Sequence, residues 1–173
     1  KNRMKKQTLE AMWSAVSKYK KPFVQYLNQK GKMNQDEKMQ SYNFWAPLNS
    51  NSRNIDYDDA IDLVKESFSR FGPQLEEFVI TAIKKGWIEA ENRPHKSAVA
   101  FCASFPTSKE SRIFMTYGGT MMSVLTLVHE LGHAFHNSAM NCQSGLNKQY
   151  PLCIAETAST FAEMMLLDTA IEN

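Results

Sequence analysis

The chain has 173 residues, 20 basic and 18 acidic side chains, a net charge of +2 and 43% apolar content. This is the composition of a soluble globular protein rather than a disordered or collagen-like one. A chain of this length makes about one domain, and its small net charge argues against nucleic acid as a partner.

From the N-terminal side, Leu9, Met12, Trp13, Val16, Tyr19, Phe23 and Leu27 recur at intervals of three and four. The spacing predicts an amphipathic helix over residues 5–27 that Pro22 kinks or divides. Lys1, Arg3, Lys5, Lys6, Lys18, Lys20 and Lys21 accompany it without an aromatic or Gly-rich nucleic-acid motif, so they read as a solvated helix face. No apolar signal region precedes this helical pattern, and the sequence is expected to be an internal piece of a longer protein. Gly31 is expected to end the helix, and residues 33–53, with Pro47 and many Asn and Ser, read as a surface connection.

Two helices are predicted next. The first opens at Asp56 to Asp59, acidic residues suited to a helix N-terminus, and stops at Gly72-Pro73. The second runs from Pro73 to Gly86, with Lys84 and Lys85 in its last turn. Residues 89–96 read as a polar loop, and 98–105 and 113–117 as two short strands. Gly118-Gly119 breaks the second strand, and Thr120 can cap a helix running to about Ala139. A loop at 141–149 leads to a last helix from Pro151 to about Thr169. The expected fold is mainly α with a small β-sheet. Residues 1–53 form a helical lead-in and connection, and 54–173 the core.

Charge is very unevenly distributed along these elements. Residues 113–155 carry only Glu130 and Lys148, yet include three of the four histidines. The uncharged stretch 113–128 of this window reads as core rather than a bilayer span, because it contains Gly118-Gly119 and several Thr and Ser and stops short of the roughly 20 apolar residues a span needs. No membrane partner is expected. Cys102, Cys142 and Cys153 are odd in number and form no C-x-x-C pair, so three free thiols and a reducing, cytoplasmic setting are expected.

Within that window stands His129-Glu130-Leu131-Gly132-His133. At about 100° per residue the two histidines lie about 40° apart on one helix face and one turn apart in height, so both imidazoles can reach one metal ion. Glu130 is turned about 100° away, off the metal but beside a water in an open coordination position, where it can act as a general base. Two histidines and an unpaired carboxylate in an uncharged core would be costly without a dication. A third histidine ligand at position 139 is excluded, because Ala139 stands there and His136 replaces the glycine which that pattern requires. The next carboxylate down the chain, Glu156, is therefore the expected third ligand of one zinc ion.

Glu163, seven residues beyond Glu156 on the same helix face, is placed to accept the second N–H of a zinc-bound histidine. His136 shares the face of His129 and His133 and is expected in a supporting hydrogen-bonding role. Ala98, Val99, Ala100 and Phe101 are candidates for an edge strand on which an extended peptide could add itself. The chemistry implied is hydrolysis of a peptide bond by a zinc-activated water, with Glu130 moving the proton.

Thr126-Leu-Val-His-Glu-Leu-Gly-His-Ala-Phe-His136 and Ala155-Glu-Thr-Ala-Ser-Thr-Phe-Ala-Glu163 resemble the zinc oligopeptidases of the oligoendopeptidase F and thimet oligopeptidase kind, a gluzincin family. Weaker matches are Gly86-Trp-Ile88, residues 96–102 and Met115-Thr-Tyr-Gly-Gly119. The resemblance implies a mostly helical, zincin-like peptidase core with a channel for short peptides. It also implies zinc on His129, His133 and Glu156, with Glu130 as catalyst. Val99 stands where that family often has Gly. The family's oxyanion Tyr and His would fall beyond Asn173, so the chain is expected to be part of a larger catalytic domain. The alternative is an inactive zinc- and peptide-binding fragment.

Overall fold

The computed structural model describes residues 4–33, 39–44 and 54–172. The chain divides into two compact units, Asn2–Ser52 and Arg53–Asn173.

The first unit holds α1 (Lys6–Ser17) and α2 (Lys20–Met33). The break falls at Lys18-Tyr19 rather than at Pro22. Pro22 sits in the first turn of α2, where the amide it lacks would have had no intrahelical acceptor. Gly31 does not end the helix, which runs on to Met33. There Lys30 is buried and its Nζ donates to the Phe44 carbonyl at 2.7 Å. The face predicted from the 3–4 spacing is present, but Leu9, Met12, Trp13 and Val16 are exposed. Of the connection expected over 33–53, residues 34–38 and 45–53, Pro47 included, lie outside the described residues, and Ser41–Asn43 forms a 3-10 turn.

The second unit is built around one helix. α3 (Tyr57–Phe71) and α4 (Pro73–Lys84) precede a three-stranded sheet, and α5 (Met121–Ala139) and α6 (Leu152–Glu172) follow it. α5 is apolar nearly all round, as a helix enclosed by other elements must be. It buries Val124, Leu127, Val128 and Leu131 against Ala60, Val64 and Phe68 of α3, Val79 of α4, and Ala162 and Leu166 of α6. Each of these Val, Leu and Phe side chains contributes about 1.5–3 kcal/mol when removed from water. Phe78 meets Phe135 edge-on at 5.4 Å and Trp87 at 6.0 Å, which ties α4 to α5 and to the sheet.

The sheet has the order β1-β3-β2, with β1 (Ile88–Glu89) parallel to β3 (Glu110–Phe114) and β2 (Phe101–Phe105) antiparallel to it. Both predicted strands shift. Ala98, Val99 and Ala100 lie before the β2–β3 ladder, and β3 begins at Glu110 instead of Ile113. Its first half alternates, with Ser111 and Ile113 buried while Glu110 and Arg112 point outward, so a strand with one solvated face looks polar in sequence. β1 includes Glu89, which the sequence placed in a loop. Here Ile113 N–H donates to Trp87 O and Met115 N–H to Glu89 O, so β3 draws this short segment into the sheet.

α5 begins at a firm stop. The Thr120 hydroxyl accepts from Ser123 N–H at 3.2 Å, and Ser123 Oγ in turn accepts from Gly118 N–H at 3.0 Å. Gly119 has φ +71°, a conformation that favours glycine, and a Cβ there would lie 2.0 Å from Oδ1 of the exposed Asn54, whose side chain would have to move.

Candidate metal centre

α5 sets two imidazoles on one side of itself, and the first turns of α6 bring a carboxylate across to them. Nε2 of His129 lies 3.3 Å from Oε2 of Glu156, and Nε2 of His133 lies 3.5 Å from the same oxygen. One donor atom from each of the three residues falls within 4.8 Å of the others. Four ligands held about 2.0–2.1 Å from a tetrahedral zinc ion stand about 3.4 Å from one another, so the donor set fits such an ion.

The crossing that brings α6 so close depends on Gly132. A Cβ at that position would lie 2.8 Å from the Ala158 carbonyl oxygen and 2.9 Å from the Ser159 Cα. Both are backbone atoms that cannot swing aside. Any larger residue would therefore push apart the two helices that carry the three donors.

Glu163, two turns beyond Glu156, meets the other nitrogen of His129, with Nδ1 to Oε1 at 2.5 Å. An ionised carboxylate can only accept, so Nδ1 is the donor here, and in the neutral ring this leaves the Nε2 lone pair on the side of Glu156. Burial lowers the pKa of His133; Glu156 opposes this, and the neighbouring imidazoles of His129 and His136 add to it whenever they are protonated. A neutral imidazole is the form that binds metal.

Glu130 follows His129 on α5 and is close enough to feel both His129 and Glu156. It is 5% exposed and its Oε2 has no hydrogen-bond partner. Burial raises its pKa; the His129 charge works against that and Glu156 adds to it. Cys102 of β2 feels the same carboxylate, and burial together with Glu130 pushes its thiol up to about 11. Cys102, Cys142 and Cys153 form no disulfide.

His136 is not among the three converging residues. Its ring packs on Tyr150 at 4.7 Å, and its Nδ1 is buried without a partner. Among Ala98, Val99, Ala100 and Phe101, only Phe101 enters the ladder, with its ring stacked on Phe114 at 5.2 Å. β2 is an edge strand of this sheet. The Tyr117 hydroxyl donates to the Ile55 carbonyl at 2.8 Å and the Tyr150 hydroxyl to Asn137 Oδ1 at 3.4 Å. Ser159, whose hydroxyl lies 2.8 Å from Glu156 Oε2, was not singled out from the sequence. The only signal available was its position three residues after a candidate ligand on a helix.

A family profile described as Peptidase family M3 matches residues 4–173. The chain is 27% identical over 150 residues to the chromosomal oligoendopeptidase F of Lactococcus lactis subsp. cremoris, covering 85% of this chain and 24% of that protein. It is 27% identical over 136 residues to the group B oligopeptidase PepB of Streptococcus agalactiae serotype III (strain NEM316), covering 78% and 22%. The chain thus spans about a quarter of the length of these relatives. The solved structure of PZ peptidase A with an inhibitor superimposes with a TM-score of 0.80 at 20% identity, covering 98% of this chain and 31% of that one, a likeness of fold. Among the described residues no helix is long and apolar enough to cross a membrane.

Proposed function

The chain belongs to peptidase family M3, and from that premise we propose that His129, His133 and Glu156 hold one zinc ion in a site that hydrolyses peptide bonds of oligopeptides. The observation that carries this reading is the convergence of two imidazole Nε2 atoms on one carboxylate oxygen at 3.3 and 3.5 Å. When bound, zinc would polarise the scissile carbonyl and acidify a water.

The chain's own residues supply the rest. Glu163 fixes the tautomer and ring orientation of His129. Glu130 takes the proton from the attacking water and returns it to the leaving amine. Its raised pKa makes it a better proton acceptor than an ordinary surface carboxylate. The apolar side chains around it, Leu127, Val128 and Leu131, exclude bulk water from its inner side. An extended peptide would pair with the outer edge of β2, with Phe101 as the first ladder residue and Ala98, Val99 and Ala100 leading into it.

A second reading, a zinc- and peptide-binding fragment without turnover, is favoured by one observation. The hydroxyls of Tyr117 and Tyr150 are engaged elsewhere, so neither offers a ready second donor to an oxyanion.

Metal analysis followed by cleavage of a quenched fluorescent peptide, with Glu130→Gln as control, tests both. Bound zinc with turnover that Glu130→Gln abolishes supports the peptidase. Bound zinc without Glu130-dependent turnover supports the second reading, and a chain that takes up no zinc refutes both.

A further inference from the structure

Ser159 has no exposed surface. Its hydroxyl lies 2.8 Å from Oε2 of Glu156 and 3.0 Å from the main-chain oxygen of the same residue. A helical serine ordinarily bonds back to a carbonyl in the preceding turn. At this turn that carbonyl has a nearer side-chain partner, because Thr160 Oγ1 donates to it at 2.6 Å. A serine hydroxyl carries one proton. With the carbonyl served by Thr160, that proton is left for the carboxylate.

We infer that Ser159 is a positioning residue for Glu156, holding its Oε2 in the one rotamer that faces the Nε2 atoms of His129 and His133. The inference rests on the zinc reading of those three residues. The Glu156 side chain is 42% exposed and on a flexible stem, so without such a tie it would sample solvent. A hydrogen bond to an ionised acceptor is roughly twice as strong as a neutral one. The α5 backbone at Gly132 closes over Ser159, so no water competes for its hydroxyl. Glu163 orients a histidine and Ser159 orients the carboxylate, and both act from the same helix.

The test uses the full chain with Ser159→Ala and Ser159→Cys. The second substitution keeps the volume but replaces the hydroxyl with a poor donor. Ser67→Ala is the control, because Ser67 is 1% exposed and its Oγ has no hydrogen-bond partner. The readouts are the zinc dissociation constant by chelator competition and the visible absorption of the cobalt-substituted protein, which reports ligand geometry.

Loss of an outer hydrogen-bond partner of a metal ligand weakens metal binding about 10–100-fold. That loss is expected for both Ser159 variants, together with an altered cobalt spectrum, while Ser67→Ala matches the parent. Should Ser159→Ala fail to fold, Ser159→Cys carries the test. Zinc held within about twofold of the parent by the Ser159 variants would overturn this inference alone, as would an equal loss in Ser67→Ala. A parent chain that binds no zinc would overturn the reading of the site, and this inference with it.

Discussion

Glu130→Gln separates what the carboxylate does for chemistry from what it does to the fold. Glu130 is 5% exposed, and one of its oxygens has no hydrogen-bond partner. An unsatisfied neutral group in such a place costs about 1–3 kcal/mol, and an ionised one more. Glutamine keeps the shape and the unsatisfied oxygen but removes the charge. The substitution is therefore expected to stabilise the metal-free chain by about 1–2 kcal/mol at pH 7, which for a chain of this size is about 2–8 °C in Tm.

The pH dependence has a definite sign. The folded pKa of Glu130 is raised, chiefly by burial. The protonated form therefore contributes stability that is full below the unfolded value of about 4.3 and is lost as pH rises through the folded value. Glutamine does not titrate, so variant and parent should melt together near pH 4, diverge as pH rises toward the folded pKa of Glu130, and keep a constant separation above it. Scanning calorimetry in excess chelator from pH 4 to 8 measures this. A variant melting at or below the parent at pH 7 would show that Glu130 is satisfied in the fold and refute the reasoning.

Gly132→Ala should lower Tm by about 2–10 °C, because overpacking a close contact costs about 1–3 kcal/mol and its Cβ would meet α6 backbone at 2.8 Å; an unchanged Tm refutes the close-crossing account. Glu163→Gln should keep the fold but weaken zinc binding about 10–100-fold in chelator competition, since His129 loses its charged acceptor. At pH 8, Cys102, with its thiol at about 11, should react with a thiol reagent about 100-fold more slowly than the exposed Cys142, as mass spectrometry of labelled peptides would show.

The parts of the fold and site legible in the sequence are those governed by helical periodicity. His129 and His133 fall together because i and i+4 share a helix face whatever the helix packs against, and Glu163 follows Glu156 by the same rule. Glu156 was legible by elimination, since the charge-poor window left few carboxylates to choose from. The register of β3 was hidden because Glu110 and Arg112 form the solvated half of an alternating strand, which reads as loop. The break at Lys18-Tyr19 was missed because Pro22 looks disruptive anywhere in a helix except in a first turn. The Ser159 bond and the Gly132 crossing depend on two helices approaching within van der Waals contact, and no local pattern in either helix records that distance.

The enclosure of α5 also governs how its donors can be lost. Its middle turns, from Val124 to Leu131, are covered by α3, α4 and α6 and by the sheet, so their amide hydrogens can exchange with solvent only when these layers part together. α1 buries none of its residues, so little packing holds its own turns closed. His129 and His133 thus sit on the last part of the second unit to come apart. An ion held there would leave a folded protein by dissociation, and any route that first frays the helix beneath it would take the whole unit with it.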